Sequence, residues 1–311
     1  MRAAVRGALH VPGRVVSRRT TMAHQTALTL RQPTSEEAEP CAGIIYRAFR
    51  RISSAHGFPP DFATEADALG LARAFIGNPA IFGVVAVRDG RILGSNFLSE
   101  ADPVRAVGPI TVEPEAQSGG LGRLLMCAVI ERAGHAPIRL VQAAYNTTSV
   151  SLYASLGFEV KEPLLHLAGT PRTPVPSGIA VRAMTRADIP ACDALCEATH
   201  GITRHHELEQ ALSQFGPMVV ERGGRITGYA TAPNFWLMNH GVAETETDLM
   251  ALLTGSAAVT SQPVSLLLPN RQTSLFRRAL ESGMRVIQPM TLMARGPYRE
   301  PRGCWFPSVL Y

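Results

Sequence analysis

The chain of 311 residues has a single lysine, Lys161, and no run of 18 apolar residues. Without a Gly-Lys-Ser/Thr sequence, a triphosphate-binding P-loop is excluded, and without a long apolar run we expect no membrane span. Cysteine is also scarce, and its five positions are odd in number, scattered and free of any C-x-x-C pair: Cys41, Cys127, Cys192, Cys196 and Cys304. This pattern predicts buried thiols in a reducing cytoplasm.

Acidic residues are absent before Glu36, whereas the first 21 residues contain five arginines. Those arginines account for the whole net charge of +5, so residues 22–311 are neutral. A neutral body gives no basic face for nucleic acid, and we expect no nucleic-acid partner. We predict that residues 1–25 are a disordered extension; an organellar transit peptide and a translation start at Met22 remain open.

The most informative stretch lies at residues 104–133, where a strand, a glycine turn and a helix follow one another. Ile110–Val112 is β-branched and flanked by prolines, which predicts a short strand. From Leu121 the apolar residues recur at helical spacing. Between these two segments, glycines let the backbone N–H groups converge at a helix N-terminus, which predicts a seat for phosphate or pyrophosphate.

The spacing of the turn selects among phosphate ligands. A dinucleotide fingerprint needs a third glycine where the chain has Leu125. Gln117, Gly120 and Gly122 instead match Gln/Arg-x-x-Gly-x-Gly/Ala, which resembles the acetyl-CoA motif of GNAT-type N-acetyltransferases. A second segment is similar to the other signature of that family, with its residues in the family's order: Asn146, Ser149, Leu152-Tyr153 and Gly157-Phe158.

The resemblance implies an acetyl-CoA site in the first half of the chain. In the family, main-chain N–H groups of the fourth strand hold the pantetheine arm and polarise the thioester carbonyl, the glycine turn holds the pyrophosphate, and the asparagine meets the arm. The implied cofactor-binding residues are Ile110, Thr111, Val112, Gln117, Ser118, Gly119, Gly120, Leu121, Gly122, Arg123, Asn146 and Tyr153. Asn146 could equally cap its own helix.

Tyr153 occupies the position of the family's usual proton donor to the departing thiolate. A phenol can give its proton to a thiolate and recover it from solvent; the alternative is an aromatic ring packed at the core edge. The general base departs from the family pattern, because no acid lies in Arg105-Ala106-Val107. Glu100 and Asp102 are the nearest upstream carboxylates and are our candidates for that role.

The candidate acceptor-binding residues are His56, Phe58 and Phe62, in the loop where the family shapes its acceptor site, together with Asn96. The apolar loop residues could instead only anchor the loop to the body. The histidines give no metal-ligand set, and His200, His205 and His206 are expected on a solvated helical face.

The chain also repeats itself, and the resemblance implies an α+β fold of two tandem GNAT-like domains. Each would be a mixed, mostly antiparallel sheet flanked by helices, over residues 26–169 and 179–311, joined by the proline-rich linker 170–178. Three echoes support the duplication: Leu30–Thr34 with Val181–Thr185, Val85–Gly94 with Val219–Gly228, and Leu140–Asn146 with Leu266–Asn270. The run Cys304–Tyr311 suggests one more strand, in either sheet.

The second half has lost the glycine turn. At the corresponding place, between Asn239 and Asp248, a single glycine remains and three carboxylates lie at the helix start: Glu244, Glu246 and Asp248. These acids occupy the positive end of the helix dipole and repel a diphosphate. We therefore predict a degenerate second domain and one acetyl-CoA per chain.

These observations predict an acetyl-CoA-dependent N-acetyltransferase that acts by direct attack of a primary amine in a ternary complex. The acceptor would be a small-molecule or peptide amine, the protein a monomer or homodimer, and no metal would be needed. A non-catalytic acyl-CoA sensor is the alternative, favoured by the missing strand acid. An enzyme that transfers a longer acyl group is a third hypothesis.

Overall fold

The computed structural model describes residues 27–117 and 119–311, and the predicted N-terminal extension therefore lies outside the described residues. The first half contains these strands: β1 (Thr29–Arg31), β2 (Ile81–Arg88), β3 (Arg91–Ser99), β4 (Arg105–Val107), β5 (Thr111–Val112), β6 (Ile138–Ala143) and β7 (Glu159–Gly169). Its helices are α1 (Ala38–Ala55), α2 (Glu65–Ile76), α3 (Leu121–Ala133) and α4 (Thr147–Ser155).

The second half repeats this order of elements. Its strands are β8 (Ile179–Ala183), β9 (Met218–Arg222), β10 (Arg225–Ala230), β11 (Gly241–Ala243), β12 (Val264–Pro269), β13 (Arg285–Arg295) and β14 (Cys304–Phe306). Its helices are α5 (Ile189–His200), α6 (His205–Gln214), α7 (Glu246–Thr260) and α8 (Thr273–Glu281). The α+β class and the tandem arrangement predicted from the sequence are confirmed. None of the helices in the described part of the chain has the length and hydropathy needed to cross a bilayer.

Local sequence explains several element boundaries. The β2–β3 hairpin turns at Asp89-Gly90, where both residues have positive φ, as the two-residue turn requires. Thr64 caps α2 by accepting a hydrogen bond from the N–H of Asp67. The repeat is visible in side-chain contacts too: Arg31 pairs with Glu37 in the first half, and Arg182 pairs with Asp188 in the second.

The two halves share a sheet, which the sequence did not predict. The strand order of the larger sheet is β1-β2-β3-β4-β6-β13-β7-β12, with β5 paired to β3. Strand β13 of the second half pairs with β6 and β7, while β7 of the first half pairs with β12. β7 and β13 are the equivalent last strands of the two repeats, and each pairs with a strand of the other repeat, β7 with β12 and β13 with β6.

The smaller sheet has the order β14-β11-β10-β9-β8, so the C-terminal strand completes the second sheet. Strand β14 is antiparallel to β11 and pairs Phe306 with Gly241.

Four of the five cysteines are buried, as predicted, but Cys127 on α3 is exposed. The apolar residues at helical spacing from Leu121 also include Leu124, which is exposed, whereas Leu121, Leu125 and Val129 of the same predicted face are buried.

Candidate functional site

The glycine turn opens directly onto the start of α3. Gly120 has φ 78° and ψ 0°, a left-handed conformation that glycine adopts without strain, and a Cβ there would have nothing within 4 Å. Among the described residues no side chain caps this helix, and no acid lies in its first turn, so the first-turn N–H groups and the positive dipole end face outward. Gly119 and Gly120 are exposed, and Gln117 donates to the carbonyl of Val112. Ser118 lies outside the described residues.

The other predicted residues of the turn have definite places. Leu121 is buried in the core beneath the turn. Gly122 lies against Leu152 of α4, where a Cβ would come within 3.4 Å of its Cδ2. The exposed Arg123 donates to the hydroxyl of Ser155 at 2.6 Å. The N-terminal turn of α3 therefore packs closely against α4, with its amides left on the outer side.

Strands β4 and β6 separate after a short paired segment. They are parallel and pair only through Arg105–Ile138 and Ala106–Arg139. Beyond that point three residues, 108–110, stand opposite two residues of β3, 96–97, which makes a β-bulge. The chain therefore leaves β6 and runs along β3 alone, so a cleft opens between the two strands.

Main-chain N–H groups face this cleft. Glu113 donates its N–H to the carbonyl of Leu93, and Thr111 pairs with Ser95, so both direct their N–H groups toward β3. Alternate residues of a strand direct their N–H groups to opposite sides. The N–H groups of Ile110 and Val112 therefore face the cleft, as the resemblance implies, whereas the N–H of Thr111 is used within the sheet.

Tyr153 lies in the core beside α3, 5% exposed, among apolar residues that include Leu125 and Met126. Burial raises the pKa of its phenol to about 12, partly opposed by a hydrogen bond with Ser149. The phenol therefore stays protonated at neutral pH, the form that a proton donor needs. Asn146 caps α4, accepting at 3.2 Å from the N–H of Ser149, so its capping role is confirmed.

The structure separates Glu100 and Asp102 from this cleft. Glu100 pairs with Arg132 at 2.8 Å, twelve residues after Gly120 and therefore about 18 Å farther along α3. Asp102 is buried and accepts from the N–H groups of His206 and Glu207 at 3.3 Å, at the start of α6. Both carboxylates lie at the paired end of β4, where the sheet is closed.

The four acceptor candidates divide into two groups. Phe58 stacks on Tyr145 with ring centroids 4.3 Å apart, and His56 lies 5.2 Å from the same ring. Phe62 is buried and packs edge-on against Phe49, which anchors the loop. Asn96 is fully buried and donates to the carbonyl of Leu125 beneath α3, so the structure does not bring it to the loop.

Three polar residues at the same place were not predicted. Tyr145 donates at 3.0 Å to the side-chain oxygen of Gln288, and Gln288 donates at 2.9 Å to the carboxylate of Asp61. Asp61 could have been noticed as the one acid of the acceptor loop. Gln288 carries no sequence signal, because it reaches this place only through the exchange of β13.

The histidines differ from their prediction in one case. His205 and His206 are exposed, but His200 is buried with Cys196 and His240, and the three donor atoms lie within 4.8 Å of one another. Burial, together with the positive charges of Arg204 and Arg139, holds the pKa of both buried imidazoles well below its ordinary value. The same charges oppose a metal cation in this cluster.

The equivalent helix start in the second half is closed. Thr245 caps α7 by accepting from the N–H of Asp248, whose carboxylate is completely buried and bound by Arg222 at 2.9 Å. Strand β14 also pairs with β11 along its whole length. In the first half the corresponding edge of β5 faces an open cleft.

Comparison with known proteins agrees with this geometry. Residues 45–158 match the acetyltransferase (GNAT) family model, and no curated protein matches the chain in sequence. A candidate acetyltransferase of Pyrococcus horikoshii is 13% identical with a TM-score of 0.70, over 91% of this chain and 94% of that one. A GCN5-related N-acetyltransferase from Sphaerobacter thermophilus is 17% identical, with a TM-score of 0.59 over 88% and 97% of the two chains.

A tandem GNAT protein from the clavulanic acid biosynthesis pathway is similar over the whole of its length. It is 15% identical with a TM-score of 0.56, over 88% of this chain and 100% of that one. At such low identities the similarity to solved structures shows the fold alone, and the family model covers only residues 45–158 of the first half. The first half of the chain therefore matches the acetyltransferase (GNAT) family model, and the chain as a whole has the fold of a tandem GNAT protein.

Proposed function

We propose that this protein is an acetyl-CoA-dependent N-acetyltransferase, which transfers the acetyl group directly to a primary amine of a small molecule or peptide. The uncapped glycine turn of α3 beside the β4–β6 cleft carries the proposal. The turn offers free N–H groups and a positive dipole end to a pyrophosphate, and the cleft offers the N–H groups of Ile110 and Val112 to an extended pantetheine arm.

Acetyl-CoA supplies the thioester, whose carbonyl carbon the amine attacks. The N–H groups of Ile110 and Val112 stabilise negative charge on the carbonyl oxygen. Tyr153 gives its proton to the departing sulfur and recovers it from solvent. Burial raises the pKa of this phenol, and it also raises the pKa of a thiol that lies beside the phenol. The proton affinities of the two groups therefore stay close.

A non-catalytic acyl-CoA sensor is the second candidate, because Glu100 and Asp102 are engaged in other contacts. The test is a panel of primary amines assayed by thiol release from acetyl-CoA, with longer acyl-CoAs alongside. We expect turnover with acetyl-CoA and at least one amine. Tight acetyl-CoA binding without turnover on any amine would favour the sensor, and turnover with only a longer thioester would assign a different acyl group.

A further inference from the structure

A polar relay joins the two halves beside the acceptor loop. It runs from the carboxylate of Asp61 through the side-chain amide of Gln288 to the hydroxyl of Tyr145, with contacts of 2.9 and 3.0 Å. Gln288 is 2% exposed and lies on β13 of the second half. Phe58 and His56 cover the other side of the Tyr145 ring.

The carboxylate of Asp61 has no positive partner in the part of the chain that the structure describes. It accepts a hydrogen bond from the neutral amide of Gln288, and desolvation raises its pKa. A desolvated carboxylate without a counter-ion is costly to a folded protein. Such groups persist at functional sites, where a ligand provides the missing charge.

The relay lies level with the open end of the cleft. Ala106 and Arg139 are the last paired residues of β4 and β6. Tyr145 follows Arg139 by six residues and lies two residues beyond the end of β6, on the side where β4 and β6 have separated. Val112 presents its N–H to the cleft, and Tyr145 directly precedes Asn146, the cap of α4. Through Gln288 and Tyr145, Asp61 is joined to the open end of the cleft, whereas Glu100 and Asp102 lie at its paired end.

We propose that Asp61 is the acceptor carboxylate of this transferase, which binds the ammonium group of an alkylamine and accepts its proton, and that Gln288 positions it. This inference rests on the proposed function and names its substrate class. The stacked rings of Phe58 and Tyr145 provide an aromatic surface beside the carboxylate, and aromatic faces attract alkylammonium groups.

The reaction balances with the groups in place. Asp61 takes one proton from the ammonium, and the freed nitrogen lone pair forms the C–N bond to the thioester carbon. The C–S bond then breaks, sulfur receives the proton of Tyr153, and the surplus proton on nitrogen leaves to solvent, from which Tyr153 is restored. The products are the N-acetyl amide, the free thiol and the proton held by Asp61.

Asp61→Asn tests the assignment, with Asp89→Asn as the matched control. The control makes the same chemical change at the exposed tip of the β2–β3 hairpin. We assay 1,4-diaminobutane and phenethylamine, which are ammonium ions at neutral pH, and 4-methylaniline, which is not. Asp61→Asn should lower kcat/KM for the alkylamines about 10²-fold and leave acetyl-CoA affinity and 4-methylaniline turnover within about threefold.

Gln288→Leu tests the positioning role. The variant keeps an apolar side chain of similar length and removes both hydrogen bonds of the relay. We expect kcat/KM for the alkylamines to fall about tenfold, the consequence of losing about one hydrogen bond's worth of positioning, with 4-methylaniline much less affected. A merely structural role would lower Tm and affect both amine classes equally.

The outcomes separate this proposal from the proposed function. Equal alkylamine kinetics for Asp61→Asn and wild type, with acetyl transfer intact, would overturn the assignment of Asp61 and leave the transferase standing. Equal losses for alkylamines and 4-methylaniline would also overturn it. A wild-type protein that binds acetyl-CoA and acetylates no amine of the panel would end the proposed function and this inference together.

Discussion

Helices α3 and α7 occupy equivalent places in the two repeats, but they begin in opposite ways. Helix α3 begins after Gly120 with no acid in its first turn and with no capping side chain from the residues that the structure describes. Helix α7 begins after Thr245, which caps it, and carries Glu246 and Asp248 in its first turn. Each acid at such a position stabilises the helix by roughly 0.3–1 kcal/mol. The second half thus satisfies the N-terminus of α7 with its own side chains, whereas the first half leaves the N-terminus of α3 free for a ligand.

The strands beside these helices differ in the same sense. The edge of β5 faces the cleft with N–H groups that have no partner in residues 27–117 and 119–311, whereas the edge of β11 is covered by β14. Phe306 lies so close to Gly241 that a Cβ there would come within 2.2 Å of its ring. The two halves therefore keep the same architecture. In the second half, β14 fills the space beside β11; the equivalent space in the first half is the cleft that an extended ligand arm would need.

The sharpest way to break this difference is to give α3 a carboxylate. Gly120→Asp should abolish acetyl-CoA binding, because the new charge lies where a pyrophosphate would meet the backbone. Isothermal calorimetry measures the affinity. Gly90→Asp is the matched control, since Gly90 also has a positive φ, 73°, and open space around its Cβ position. Retained affinity in a folded Gly120→Asp protein would remove the turn from the site.

The second prediction concerns Tyr153, the buried phenol beside α3 in the first half. Tyr153→Phe keeps the ring and loses the proton, so kcat should fall on the order of 10²-fold with acetyl-CoA affinity nearly unchanged. Tyr46→Phe removes a surface hydroxyl, one that accepts from Arg50, and serves as control. Unaltered kcat together with a lowered Tm would assign Tyr153 to packing alone.

A smaller effect is expected at the closed helix start. Thr245→Ala removes the cap of α7 and should lower the free energy of unfolding by about 1 kcal/mol, without creating acetyl-CoA binding. Thr64→Ala removes the equivalent cap from α2 and should cost a similar amount. Chemical denaturation measures both. A second acetyl-CoA bound by the Thr245→Ala protein would mean that the cap alone had closed the site.

Local signals were sufficient for most of the fold. The Asp89-Gly90 turn, the caps Thr64 and Asn146 and the glycines before α3 are determined by residues within a few positions, so the sequence predicts them. The exchange of β7 and β13 is different, because the two strands have similar patterns and either would fit beside β6 or beside β12. Pairing partners that lie 95 to 157 residues apart in the sequence leave no local trace.

The candidate site divides in the same way. The main-chain elements around Gly120 and Ile110 follow from spacing, but the choice of Glu100 and Asp102 rested on nearness in sequence. In the fold, those acids lie at the closed end of β4 and pair with α3 and α6. The relay through Gln288 depends on the strand exchange, and the sequence therefore does not predict it.

The stoichiometry of acetyl-CoA binding tests the central claim most directly. We expect isothermal titration of the full chain to give one acetyl-CoA per chain, and Gly120→Asp to reduce the number to zero. A value near two per chain would contradict the account, because it would place a ligand where Thr245, Asp248 and β14 close the second half. Binding that survives Gly120→Asp would also contradict it, because the turn of α3 would then not be part of the site.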